Sequence, residues 1–118
     1  MYGTNILFQG GSASEIGIDA HTFVTFRRGN KADLCQQLVN LELLNPETGD
    51  QTSVGTGIVT KVVVTSLSNL LFELSERNHA VEAGLVEGPL GLRSFLEKVY
   101  GGPLDDATVF SALFISRG

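Results

Sequence analysis

The residues best equipped for chemistry stand close together, in the stretch His21 to Lys31, which reads His-Thr-Phe-Val-Thr-Phe-Arg-Arg-Gly-Asn-Lys. Arg27, Arg28 and Lys31 crowd beside a Gly29-Asn30 turn, although the whole chain holds only 8 Lys and Arg. Such a cationic spot suits phosphate, because a guanidinium pairs with an oxyanion through parallel donors and can also stack on a base. Thr22 and Thr25 add hydroxyls, and on an alternating strand His21 shares a face with Phe23 and Thr25, opposite Thr22. The plain reading of the same stretch is a strand rich in β-formers, a solvated strand end and a turn.

Composition limits what such a spot could bind. Thirteen acidic against 8 basic residues leave a net charge of −5, so the chain has no broad basic face for long duplex nucleic acid. A small ligand, a single nucleotide or a short single-stranded RNA segment remains compatible. With 1 Cys and 2 His there is no zinc-type spacing and no internal disulfide, so neither a metal nor another cofactor is expected. Cys35 is expected to be a reduced, partly buried filler. No apolar run approaches the roughly 20 residues of a membrane span, and Met1 to Gly10 lacks the basic start and apolar core of a secretory signal. One cytoplasmic domain over residues 1–118, monomeric or weakly dimeric and without a membrane partner, is the expectation.

Those residues need elements to hold them. Asn5 to Gln9 reads as a short strand closed by Gly10-Gly11, and Ser12 or Ser14 could cap a helical turn running to Ile18. Thr22 to Arg27 is the next strand. Val39 to Leu44 and Ser53 to Thr65 form a hairpin about Asn45-Pro46-Glu47-Thr48-Gly49-Asp50, with Gly55 and Gly57 marking a bulge or bend. From Leu67 the period lengthens: Leu67, Leu70, Leu71 and Leu74 recur at helical steps, and a restart at Ser75 runs to Glu82 and stops at Gly84. A further helix spans Leu90 to Tyr100 between Pro89 and Gly101, with Leu92, Phe95, Leu96 and Val99 on one face. Thr108 to Ser116 is apolar throughout and reads as a central strand buried on both sides. The sum is an α+β domain: a small five- or six-stranded mixed β-barrel with two or three helices beside it. In that fold Val62, Val64 and Phe110 should be buried, with Leu92, Phe95 and Leu96 packed on them.

The order of these parts resembles the ASCH domains, relatives of the PUA-type RNA-binding barrels. Three features carry the resemblance, which covers about Ile6 to Ser116. One is the T-x-R strand and Gly turn, Thr25-Phe26-Arg27-Arg28-Gly29; another is the Val- and Thr-rich strand Gly57 to Thr65; the last is the helical pattern LFELSERNHAVEAGL…LRSFLEKVYG before a closing strand. The resemblance implies a cleft, lined by the T-x-R strand and the first long helix, in which RNA or a nucleoside is held. Some small members look like amidohydrolases that deacetylate 4-acetylcytidine with a Lys and a Thr on the strand and a Glu on the helix; others resemble single-strand ribonucleases. Thr25 and Glu82 stand at the matching Thr and Glu, whereas Thr22 replaces the Lys. Two function classes follow. In one, Arg27, Arg28, Lys31 and Thr22 bind a nucleotide or short single-stranded RNA, with Thr25 and Glu82 hydrogen-bonding a base edge. In the other, Thr25, Glu82 and a substitute base, His21 or Lys31, hydrolyse a modified nucleoside.

Overall fold

The apolar run near the C-terminus is the strand on which the sheet is built. In the computed structural model, which describes residues 4–117, it forms the central member of a neighbouring trio, hydrogen-bonded on both sides. The strands are β1 (Thr4–Gln9), β2 (Thr22–Arg28), β3 (Leu38–Leu44), β4 (Gln51–Ser66) and β5 (Val109–Arg117), in the sheet order β1-β3-β4-β5-β2. β1 runs parallel to β3 and the other pairs are antiparallel, so the sheet is mixed and curls into a half-barrel. Three helices complete the α+β fold: α1 (Leu67–Leu74), α2 (His79–Glu82) and α3 (Gly88–Tyr100). The outer ends of the expected 1–118 domain, residues 1–3 and 118, lie outside the described residues.

Alternation along β5 and β2 divides the core in two. Phe23, Leu113 and Ile115 join Ile6, Phe8, Val39, Leu41, Leu43 and Val59 in an inner cluster. Val24, Phe26, Phe110 and Ala112 face the other way, against Leu67, Leu70 and Leu71 of α1 and Leu92 and Leu96 of α3. Both faces of β5 are therefore covered, which is why its sequence shows no polar alternation.

Glycines and caps set the bounds of these elements. β4 bulges where Leu41 pairs with Gly55 and Glu42 with Ser53, and Gly55 has φ +128°, a conformation that a Cβ disfavours. Ser66 Oγ accepts from the Asn69 N–H at the start of α1. α3 ends at Gly101, in the left-handed conformation with φ 81°, whose N–H donates to Glu97 O.

Several expectations change in the tertiary structure. The helix restart breaks into a single 3₁₀ turn, Ser75–Arg77, and the short α2, separated by Asn78 in an extended conformation. Asn78 Oδ1 accepts from the Ala80 N–H at 2.9 Å, so this residue starts a new helix rather than continuing the old one. Residues 13–17 do form turns, with Ser12 Oγ accepting from the Glu15 N–H at 3.2 Å, and Ile16 and Ile18 reach the inner core. Val62 and Val64 are half-buried rather than buried, and it is Val63 that packs with the helix-side cluster. The reason is a second irregularity in β4 between Val59 and Lys61, which shifts the alternation by one residue and sends Val62 to the inner cluster instead. Cys35 is exposed, because the 3₁₀ turn Ala32–Leu34 directs Leu34 toward the core in its place. Among the described residues no helix is long and apolar enough to cross a membrane.

Candidate functional site

The half-barrel leaves its edge strands β1 and β2 without a mutual ladder, and a cavity of about 210 Å³ opens there. β1 contributes Leu7, Phe8 and Gln9, and β2 contributes Thr25, Phe26 and Arg27. Asn78 and His79 close it at the start of α2, while Phe95, Leu96, Val99 and Tyr100 of α3 wall the remaining side. No Asp or Glu is among its lining residues.

Arg27 spans the gap between the edges. Its Nη1 donates to Leu7 O at 2.7 Å, and its guanidinium carbon lies 4.6 Å from the centre of the Phe8 ring. Nε is buried without a hydrogen-bond partner. The ion pairs found among the described residues all belong to Arg93, so no carboxylate neutralises Arg27. Burial pushes its pKa below the usual arginine value, with nearby Tyr100 acting in the opposite direction. A desolvated cation held by a carbonyl dipole and an aromatic face retains much of its charge for a ligand.

His79 and Asn78 are polar cavity residues that sequence reasoning missed. The His79 Nδ1 lies 2.6 Å from Ile16 O, and because a carbonyl only accepts, the proton sits on Nδ1. The ring meets Phe8 and Phe23 edge-on, with centroids 5.3 and 6.2 Å away. Desolvation lowers the His79 pKa to about 4; the Ile16 bond raises it and the Arg27 charge lowers it further. The imidazole is therefore neutral near pH 7, with Nε2 left as an acceptor beside the cavity. Gly17 makes this packing possible, since with φ +78° a Cβ there would lie 2.5 Å from His79 O. The partners Phe8, Ile16 and Phe23 are remote in sequence, and the local signal at His79 was only the Asn cap before it.

Thr25 is 2% exposed and its hydroxyl has no hydrogen-bond partner among the described residues. The Asn78 carboxamide, equally buried, uses its oxygen as the helix cap, which leaves its NH₂ as a donor. The cavity thus presents a hydroxyl, an amide N–H, an imidazole lone pair and a guanidinium against aromatic and aliphatic walls.

The cationic cluster read from sequence separates in space. Arg27 turns inward, whereas Arg28 is exposed and stacks over the Tyr100 ring at 4.8 Å, with its backbone N–H donating to the Tyr100 hydroxyl at 3.0 Å. Since Tyr100 also lines the cavity, Arg28 stands at its rim. Lys31 lies exposed past the turn, and Ser111 secures that turn by accepting from the Lys31 N–H and donating to Gly29 O. Thr22 and Glu82 line a second hollow of about 280 Å³ with Arg77 and Phe114, apart from Thr25. His21 is exposed and lines neither. Thr25 and Arg27 are therefore brought together, while Glu82, Thr22 and His21 do not join them. No cluster of three or more potential metal ligands occurs among the described residues. No family model, curated protein or solved structure matches the chain.

Proposed function

We propose that the chain is an ASCH-like binding module that holds a nucleoside, a nucleotide or the end of a short single-stranded RNA in the cavity between β1 and β2. The supporting observation is the acid-free lining, in which Thr25, Arg27, Asn78 and His79 offer donors and an acceptor beside flat apolar walls. A nucleobase asks for that combination, with hydrogen bonds at its edge and apolar contact on its faces. The T-x-R pattern that resembles the ASCH strand supplies two of the four residues, Thr25 and Arg27.

The amidohydrolase alternative requires a base for Thr25. His79 shares the Thr25 cavity where His21 does not, but a pKa near 4 makes it a weak proton acceptor at neutral pH. Binding is the reading that this chemistry favours.

Equilibrium titration with cytidine nucleotides and labelled tetranucleotides tests it. Thr25→Val keeps the side-chain shape and removes a buried hydroxyl, so affinity should fall about five-fold or more, as for loss of one hydrogen bond of about 1 kcal/mol or more. Arg93→Ala with Lys98→Ala, on α3, should leave binding unchanged. With Arg27 and Arg28 as the cations at the cavity, log affinity against log salt should be no steeper than about −2. Absence of binding, or rapid deacetylation of 4-acetylcytidine that Thr25→Val abolishes, would overturn the proposal.

A further inference from the structure

The guanidinium of Arg27 is unusual for what surrounds it. Buried cations are ordinarily paired with a carboxylate, yet the lining of its cavity has none, and the ion pairs among the described residues lie elsewhere, at Arg93. Its fixed partners are neutral: a carbonyl oxygen, Leu7 O, and the Phe8 ring face. Tying β1 to β2 through Leu7 O accounts for one N–H donor at Nη1. A neutral amide side chain could perform that task without the cost of desolvating a charge.

The remaining donors have a definite geometry. With Nη1 engaged, the free edge of the guanidinium is the one formed by Nε and Nη2, whose N–H bonds run parallel and match two oxygens of a phosphate or carboxylate. Nε is closed to solvent and has no partner among the described residues, so an oxyanion that reaches this edge as its neighbours give way supplies a hydrogen bond that the protein alone lacks. Leu7 O and the Phe8 ring hold the guanidinium plane between the two edge strands, which reduces the ordering that binding would require. Arg28 on Tyr100 adds positive potential at the rim.

We infer that the cavity selects a phosphorylated ligand, a mononucleotide or the terminal phosphate of a short strand, over the neutral nucleoside, and that Arg27 is the residue that recognises the phosphate. This rests on the nucleotide-binding reading above and adds the charge state of the ligand to it. The phosphate oxygens accept from Nε and Nη2, and the sugar and base lie toward the walls formed by Phe95, Leu96 and Val99. The same residue costs the protein stability, because its charge has no counter-ion among the described residues.

Calorimetric titration of the full chain at pH 7.5 with cytidine, cytidine 5′-monophosphate, cytidine 3′-monophosphate and inorganic phosphate separates the possibilities. At least one monophosphate should bind about ten-fold or more tightly than cytidine. Arg27→Met should bring that ratio close to one and raise the melting temperature of the unliganded protein, while Arg27→Lys should give an intermediate ratio, since it retains charge but loses the fork. In the wild type, the Arg27 Nε–H resonance should shift and exchange more slowly with the monophosphate and stay in place with cytidine. That measurement decides the matter even where Arg27→Met fails to fold. Equal affinity for cytidine and its monophosphates, or an unmoved Nε–H when a bound monophosphate perturbs Thr25, overturns the phosphate assignment and leaves the cavity reading intact. Failure of all four ligands to perturb any cavity residue overturns both.

Discussion

Lowering the pH from neutral should destabilise this protein through His79, and by an amount that its surroundings specify. In the unfolded chain an imidazole titrates near 6.5, whereas in the fold burial among Phe8, Phe23 and Ile16 holds it at about 4. The native state thus binds fewer protons than the unfolded state over this window. Stability is fully present above about pH 6.5 and is lost progressively as pH falls toward 4. The whole window corresponds to about 3 kcal/mol, and the part between pH 7.5 and 5 to about 2 kcal/mol. Urea unfolding followed by circular dichroism at half-unit steps would measure it. The His79→Gln variant should be less stable at pH 7.5 but lose the steep segment, and subtracting its profile from that of the parent removes contributions common to both. A parent and variant with parallel profiles between pH 7.5 and 5 would refute the account of His79 as a buried neutral imidazole. So would a His79 ring that titrates near 6.5 by NMR.

Two further perturbations probe the frame around the cavity. Phe110→Ala empties a fully buried position between β5 and α3 and should cost about 3 to 5 kcal/mol in denaturant unfolding, whereas Phe72→Ser, at a position 86% exposed, should change stability by no more than about 0.5 kcal/mol. Gly17→Ala combines a positive φ with a Cβ placed against His79 O, so it should destabilise by about 1 to 2 kcal/mol and lower the His79 pKa further as the Ile16 bond, which raises it, loosens; an unchanged His79 titration in a folded Gly17→Ala protein would show that the turn does not position the ring.

The elements were largely legible because their signals are local. The apolar run of β5, the Leu spacing of α1 and the Pro89 and Gly101 punctuation of α3 each reflect a repeat or a terminus that a few neighbouring residues define. The hairpin of β3 and β4 was announced by its Asn-Pro-Glu-Thr-Gly-Asp turn, and the bulge by Gly55. The β4 irregularity between Val59 and Lys61 had no such mark, and it exchanged the faces of Val62 and Val63. A one-residue shift leaves composition and propensity untouched while reversing every side chain beyond it.

Arg27 could be singled out from its charge beside the turn and Thr25 from the resemblance of the T-x-R strand, and the cavity contains both. The sequence by itself determined which residues could bond or carry charge, and that the 8 Lys and Arg are too few for a broad basic surface. Only the tertiary structure decided which of them meet. The parallel pairing of β1 with β3 puts β1 at one edge of the curled sheet, where Leu7 and Phe8 come to face Arg27 on the other edge, and the turn at Gly17 brings Ile16 against His79. Cations adjacent in the chain, Arg27 and Arg28, were sent to the interior and the rim, while Glu82 was left beside a different hollow. Charge and hydrogen-bonding capacity belong to individual residues and can be read from the chain; burial and partnership arise from contacts between distant segments, which local pattern does not encode.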